Sequence, residues 1–85
     1  MGSQQEIAVR VLAQAGALFE GKCAALFVPS AQGEVAIMPF HVPLIMLLVP
    51  GKIRVRQGKQ FIEVGSVTSG VLHVGINEAT VLVGG

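Results

Sequence analysis

Cys23, His41, His73 and five glutamates are the side chains in this sequence with the chemistry to bind a metal or catalyse a reaction. A zinc site needs three or four ligands at close spacing, and Cys23, His41 and His73 lie far apart, so no metal centre is read here. Cys23 sits in Cys23-Ala24-Ala25-Leu26-Phe27, an apolar setting that raises a thiol's pKa and leaves it inert. No neighbouring base accompanies it, which argues against a nucleophile. The glutamates are scattered along the chain, poorly placed for general acid–base work, and no GxxxxGK phosphate loop is present. The sequence therefore reads as a non-enzyme without a cofactor.

Four of the six cations, Lys52, Arg54, Arg56 and Lys59, crowd into eight residues. The plain reading is the solvated face of a hairpin. The rival is a small β-barrel that grips single-stranded nucleic acid, but such grooves pair cations with stacking aromatics. This chain has no Tyr or Trp and four Phe, which fit a core better. A net charge of +1 is also too small to steer it toward phosphate backbones. His41, between Pro39 and Pro43, reads as a histidine hydrogen-bonded to backbone at a strand entrance.

The elements that carry these residues are strands. Eighty-five residues, 52% of them apolar, make one domain over 1–85, with residues 1–5 read as disordered or as a tag remnant. Charged residues are 13% of the chain against about 25% in an average globular protein, which suggests a covered face. The single cysteine closes no internal disulfide. No stretch reaches the roughly 20 apolar residues that span a bilayer as a helix.

Ile7, Val9 and Val11 share one face of a first strand, and Ala13 to Gly16 turns into an extended run from Leu18 to Val28, where Gly21 suggests a bulge. Pro29 to Gly33 reads as a loop. Leu44 to Val49, fenced by Pro43 and Pro50, reads as a strand covered on both faces. Lys52 to Arg56 and Gln60 to Val64 alternate as a hairpin, and Val71 to Val74 and Ala79 to Val83 form a meander in which Gly65, Gly75 and Gly84 punctuate turns. About eight to ten short strands must hide their apolar faces, which predicts an all-β, two-sheet antiparallel β-sandwich.

The stretch Gly33-Glu34-Val35-Ala36-Ile37-Met38-Pro39-Phe40-His41-Val42-Pro43-Leu44 resembles the ε-subunit family of F-type ATP synthases, whose N-terminal domain carries a GE…GI-x-PGHAPL pattern. Flanking pieces agree in order and spacing. Leu18-Phe19-Glu20-Gly21 is similar to that family's VFEG element, Pro50-Gly51-Lys52-Ile53-Arg54 to its PG-x-IR turn, Ser69-Gly70-Val71-Leu72-His73-Val74 to GG-x-xEV, and Thr80-Val81-Leu82 to its closing TVL. Phe40 departs from the glycine of PGH and removes a residue free to adopt positive φ, so a turn of different shape is expected there. Ser69 and His73 depart as well, and Gly84 stands where an acidic residue is usual.

The resemblance implies a β-sandwich that performs no chemistry and sits in the central stalk, peripheral to the membrane on its cytoplasmic face. It implies two partners. Ser30, Gln32 and Glu34 would face the polar loops of the c-ring, and Phe40, His41 and Val42 would face the γ subunit. Ile37, Val42, Leu44 and Met46 are the candidates for an apolar docking face. The family's C-terminal helical hairpin, which restrains ATP hydrolysis and can bind ATP, has no counterpart in this sequence, so neither property is carried over.

Overall fold

The structure, a computed structural model, describes residues 5–84. The reading of residues 1–5 as disordered or tag-derived falls, apart from Gln5, outside the described residues. Nine strands follow one another: β1 Ile7–Ala13, β2 Gly16–Cys23, β3 Ala25–Ser30, β4 Gly33–Ile37, β5 Leu44–Leu48, β6 Gly51–Gln57, β7 Gln60–Val67, β8 Ser69–Gly75 and β9 Glu78–Gly84. They form a five-stranded sheet in the order β2-β1-β9-β8-β5 and a four-stranded sheet in the order β4-β3-β6-β7. The expected all-β sandwich is what forms. Every pairing is antiparallel except β1 with β9, which run parallel.

Period-two alternation builds the core. Ile7, Val9 and Val11 from β1, Leu72 and Val74 from β8, and Val81 from β9 point from one sheet toward Leu26, Val28, Ile37, Ile53 and Val55 of the other, all with at most 1% exposure. Each such side chain contributes about 1.5–3 kcal/mol when fully buried. The β6–β7 hairpin closes on Gly58-Lys59, where Gly58 at φ 60° supplies the positive φ that a tight turn between twisted strands requires.

The chain changes sheet with very short connections. The run from Leu18 to Val28 is two strands and not one, because β2 ends at Cys23 in the first sheet and β3 begins at Ala25 in the second. The Ala24 amide donates to the Arg56 carbonyl at 2.7 Å, which fixes that corner. Gly21 pairs in register with Val9, so the bulge expected there lies elsewhere. Val11 pairs with Phe19 and Leu12 with Ala17, which makes Leu18 the extra residue. A second irregularity places Val64 between the Ile53–Gly65 and Arg54–Glu63 pairs. Gly65 is thus inside β7 and not in a turn. A Cβ there would meet Leu18 Cδ1 at 3.1 Å, so the glycine lets the bulged corner of one sheet close onto the other. Gly75 and Gly84, in contrast, are the last residues of β8 and β9, and the β8–β9 turn is Ile76-Asn77.

Candidate docking surfaces

Ser30, Gln32 and Glu34 are gathered on the β3–β4 hairpin, whose connection is the two residues Ala31 and Gln32 and not the longer loop expected from Pro29 to Gly33. Ser30 is 6% exposed. Its hydroxyl donates to the Gly33 carbonyl at 2.8 Å and accepts from the Gln32 amide at 3.2 Å, so it braces the turn from inside. Gln32 and Glu34 are exposed. Glu34 takes two hydrogen bonds from Arg54 Nη2, at 2.6 and 2.8 Å, a surface pair worth about 0.2–1 kcal/mol. A cation from outside would have to displace Arg54.

Phe40, His41 and Val42 lie in the loop between β4 and β5, at the other end of β4 from that hairpin, a separation of about 17 Å for a five-residue strand. Phe40 and Val42 are 71% and 68% exposed. His41 is half-buried. Its amide donates to the Met38 carbonyl at 3.2 Å and its Nδ1 lies 2.9 Å from the Val42 carbonyl, the backbone-bonded arrangement read from its flanking prolines.

Phe40 adopts φ 66° even though it is not glycine, the residue that would take this conformation most readily, at a cost of about 1–2 kcal/mol for a bulky side chain. Phe40→Gly relieves this strain but adds about 0.5–1 kcal/mol of unfolded-state freedom. Since the exposed ring loses little burial, urea unfolding is expected to show Phe40→Gly about 0.5 kcal/mol more stable than the natural chain. Equal or lower stability would mean that the ring holds the loop and the strain account is wrong.

The third surface is the outer face of the five-stranded sheet. Leu44 to Val49 is not covered on both faces. Ile45 and Leu47 are 71% and 75% exposed, whereas Leu44 and Met46 turn inward against the core. The parity of the candidate docking face is therefore the reverse of that expected, and Ile37 belongs to the core at 0% exposure; of the four candidates only Val42 is open. Register aligns Leu47, Val71, Leu82 and Leu12 in one row across four strands. The next outward row is Ile45, His73, Thr80 and Arg10, with Arg10 3.7 Å from Glu20. A row of apolar side chains bordered by polar ones is the pattern of a surface that another protein covers. The sequence carried one usable signal for it: His73 and Thr80 fix the outward parity of β8 and β9, and strand pairing passes that parity to the uniformly apolar β5.

The face of the four-stranded sheet carries the cation cluster. Lys52 faces Glu63 at 3.5 Å and Arg54 faces Glu34, so two of the four cations are matched by carboxylates. The phenylalanines do not all serve the core. Phe61 is 59% exposed, its ring centroid 5.6 Å from that of half-buried Phe27, with the Arg54 guanidinium 5.6 Å from the Phe27 centroid. Such a contact contributes about 0.5–1 kcal/mol at an exposed site.

Cys23 is buried, and desolvation, helped by the Glu6 carboxylate, pushes its thiol from 9.0 up to about 11. The folded state holds this proton more tightly than the unfolded chain. The resulting contribution to stability is complete below pH 9.0 and is lost as pH rises toward 11. Cys23→Ala is expected to flatten the fall in stability over that window, measured by urea titration against the natural chain at matched ionic strength. An equal fall in both proteins would remove the thiol as its cause. Among the described residues, no three of His, Cys, Asp and Glu come together to hold a metal ion.

Two stacked sheets that display a polar hairpin at one end and an apolar row on one face, with their one thiol held protonated in the core, define a β-sandwich whose exposed features suit contact with other proteins. Residues 6–85 match the family model described as the ATP synthase, Delta/Epsilon chain, beta-sandwich domain, and the chain belongs to that family. It is 38% identical over 73 residues to the ATP synthase epsilon chain of Psychrobacter arcticus, covering 86% of this chain and 53% of the relative. To the epsilon chain of Synechococcus elongatus it is 35% identical over 77 residues, covering 91% and 56%. The chain thus spans about half the length of the curated relatives it matches. Among solved structures, a chain of the Euglena gracilis mitochondrial ATP synthase (OSCP/F1/c-ring) superposes with a TM-score of 0.80 at 17% identity, covering 98% of this chain and 53% of that one. A chain from the central stalk and c-ring of the Tetrahymena thermophila enzyme gives 0.73 at 13%, covering 96% and 66%. At these identities the superpositions speak for the fold.

Proposed function

We propose that this chain is the sandwich part of a non-catalytic central-stalk subunit of an F-type ATP synthase, which links γ to the c-ring and so couples ion translocation to ATP synthesis. The row Leu47, Val71, Leu82 and Leu12 docks on γ together with the loop bearing Phe40, His41 and Val42. The hairpin bearing Gln32 and Glu34, braced by Ser30, rests on the polar loops of the c-ring. The subunit is held at the cytoplasmic face of the membrane through these partners and does not enter the bilayer. A close-packed two-sheet body suits this work, because it carries force between its surfaces without deforming.

The observation that carries the proposal is the outward-facing apolar row, open at Leu47 and Leu82, on a chain of this family. Its relatives are epsilon chains, and its structural neighbours come from a central stalk with c-ring and from an F1 assembly with c-ring. The test is capture of purified γ and of the detergent-solubilised c-ring by the tagged chain. Binding to both is expected, and binding to neither would sink the proposal. Omitting the chain from the reassembled complex should abolish ion-driven synthesis while ATP cleavage by the catalytic head persists.

A further inference from the structure

The edge of a sheet leaves backbone N–H and C=O groups open to a further strand, and natural edges are guarded by charge, by a bulge or by proline. Three of the four edge strands here are guarded. β2 carries Glu20, Lys22 and the bulged Leu18, β7 carries Glu63 and the irregularity at Val64, and β4 carries Glu34. β5 has none of these. Its residues Leu44-Ile45-Met46-Leu47-Leu48 are all apolar, Pro43 and Pro50 stand outside it, and its pairing with β8 runs without a register shift. Among the described residues β8 is its one strand neighbour, and only past its end does a further backbone bond form, from the Val49 amide to the Pro29 carbonyl at 3.2 Å. The open edge of β5 is therefore where another strand can join.

The charge pattern narrows what that strand is. From Val35 to Gly51 there is no Lys, Arg, Asp or Glu, so nothing near the edge selects a charged partner and nothing repels an identical one. We propose that the free chain pairs through β5 with a second copy of itself, antiparallel about a two-fold axis at Met46. This register sets Ile45 against Leu47 of the other copy and Leu44 against its Leu48, so every cross-strand pair is apolar. Parity agrees across the junction as well. Ile45 and Leu47 stay outward in both copies, while Leu44 and Met46, half-buried at the edge, stay inward. The contact is self-complementary and joins two five-stranded sheets into one. It belongs to the chain before it meets γ and does not rest on the proposed docking.

Sedimentation equilibrium of the 85-residue chain reads the mass, and amide hydrogen exchange reads the edge. Between about 10 μM and about 1 mM the mass is expected to rise from 8.8 kDa toward twice that value and no further, because a two-fold contact closes on itself. Over the same range the amides of Leu44–Leu48 that point to the open edge should slow by about threefold or more, while those of the guarded edge strand β2 keep their rates. Ile45→Lys supplies the guard that the other edges have and is expected to weaken the dimer by about tenfold or more. Ile45 is 71% exposed, so the fold has little to lose; should the variant unfold, Leu47→Lys replaces it. Leu82→Lys alters the outer face two strands away from the edge and should leave the dimer unchanged. A mass of 8.8 kDa at about 1 mM, growth past the dimer, a dimer without slowed β5 amides, one that survives Ile45→Lys, or one lost in Leu82→Lys each overturns the pairing. Slowing of the same amides only on addition of purified γ would give the edge to γ and overturn it too.

Discussion

On the proposed docking, Leu47→Glu is expected to weaken binding to γ by about 100-fold while leaving the fold intact. Leu47 is the next-to-last residue of the edge strand β5, 75% exposed, beside Val71 in the apolar row. Burying a leucine at an interface contributes about 1.5–3 kcal/mol, and a glutamate in its place brings an unpaired carboxylate that must be desolvated. At about 1.4 kcal/mol per factor of ten, the loss reaches two orders of magnitude in affinity. Folding stability should change by no more than about 0.5 kcal/mol, since the side chain has little to lose in the free domain and a charge on an edge strand is well tolerated. Ile76→Glu supplies the contrast. Ile76 is 91% exposed, but it sits in the β8–β9 turn outside the row, so its substitution should leave affinity unchanged. Titration calorimetry with γ reads both variants. Equal losses would reduce the effect to general charge, and unchanged affinity for Leu47→Glu would take the docking face away from this sheet.

Strand parity explains which parts of the molecule could be read from the sequence. Where polar and apolar residues alternate, as in Lys52-Ile53-Arg54-Val55-Arg56, the inward residues Ile53 and Val55 are fixed by the pattern, and both are buried. In Leu44-Ile45-Met46-Leu47-Leu48 every residue is apolar, so hydropathy carries no parity. The direction of β5 comes from its pairing with β8, where exposed His73 lies opposite Ile45. The break at Ala24 was hidden for a related reason. An apolar run that continues through a change of sheet looks like one long strand, and only the backbone hydrogen bond to Arg56 marks the corner. Ser30 shows the limit for polar residues. The family resemblance turned its hydroxyl toward a partner, while the same short side chain is well suited to closing the turn on itself, and its hydrogen bonds are made there.

Leu26→Ala is expected to cost about 3 kcal/mol of stability, within the range of 2–5 kcal/mol for truncating a buried leucine. Leu26 is fully buried on the inner face of β3, with Ile37 of β4 on one side and Val55 of β6 on the other. These neighbours are held by their own strand pairings and can close only part of the space left behind. An 85-residue domain has about 4–13 kcal/mol in total at 0.05–0.15 kcal/mol per residue, so one such cavity removes a large share. The melting temperature should fall by about 15 °C, at roughly 4–8 °C per kcal/mol for a domain of this size. Leu26→Ile conserves volume and should lose less than about 1.5 kcal/mol. Urea titration separates these cases through the midpoint, with an unchanged slope showing that the folded state has kept its compactness. Because Leu26 lies in the four-stranded sheet and the apolar row in the other, the folded fraction of Leu26→Ala should bind γ with unaltered affinity. If affinity fell along with stability, the two sheets would not be the independent layers that a rigid spacer requires, and docking would depend on the packing between them.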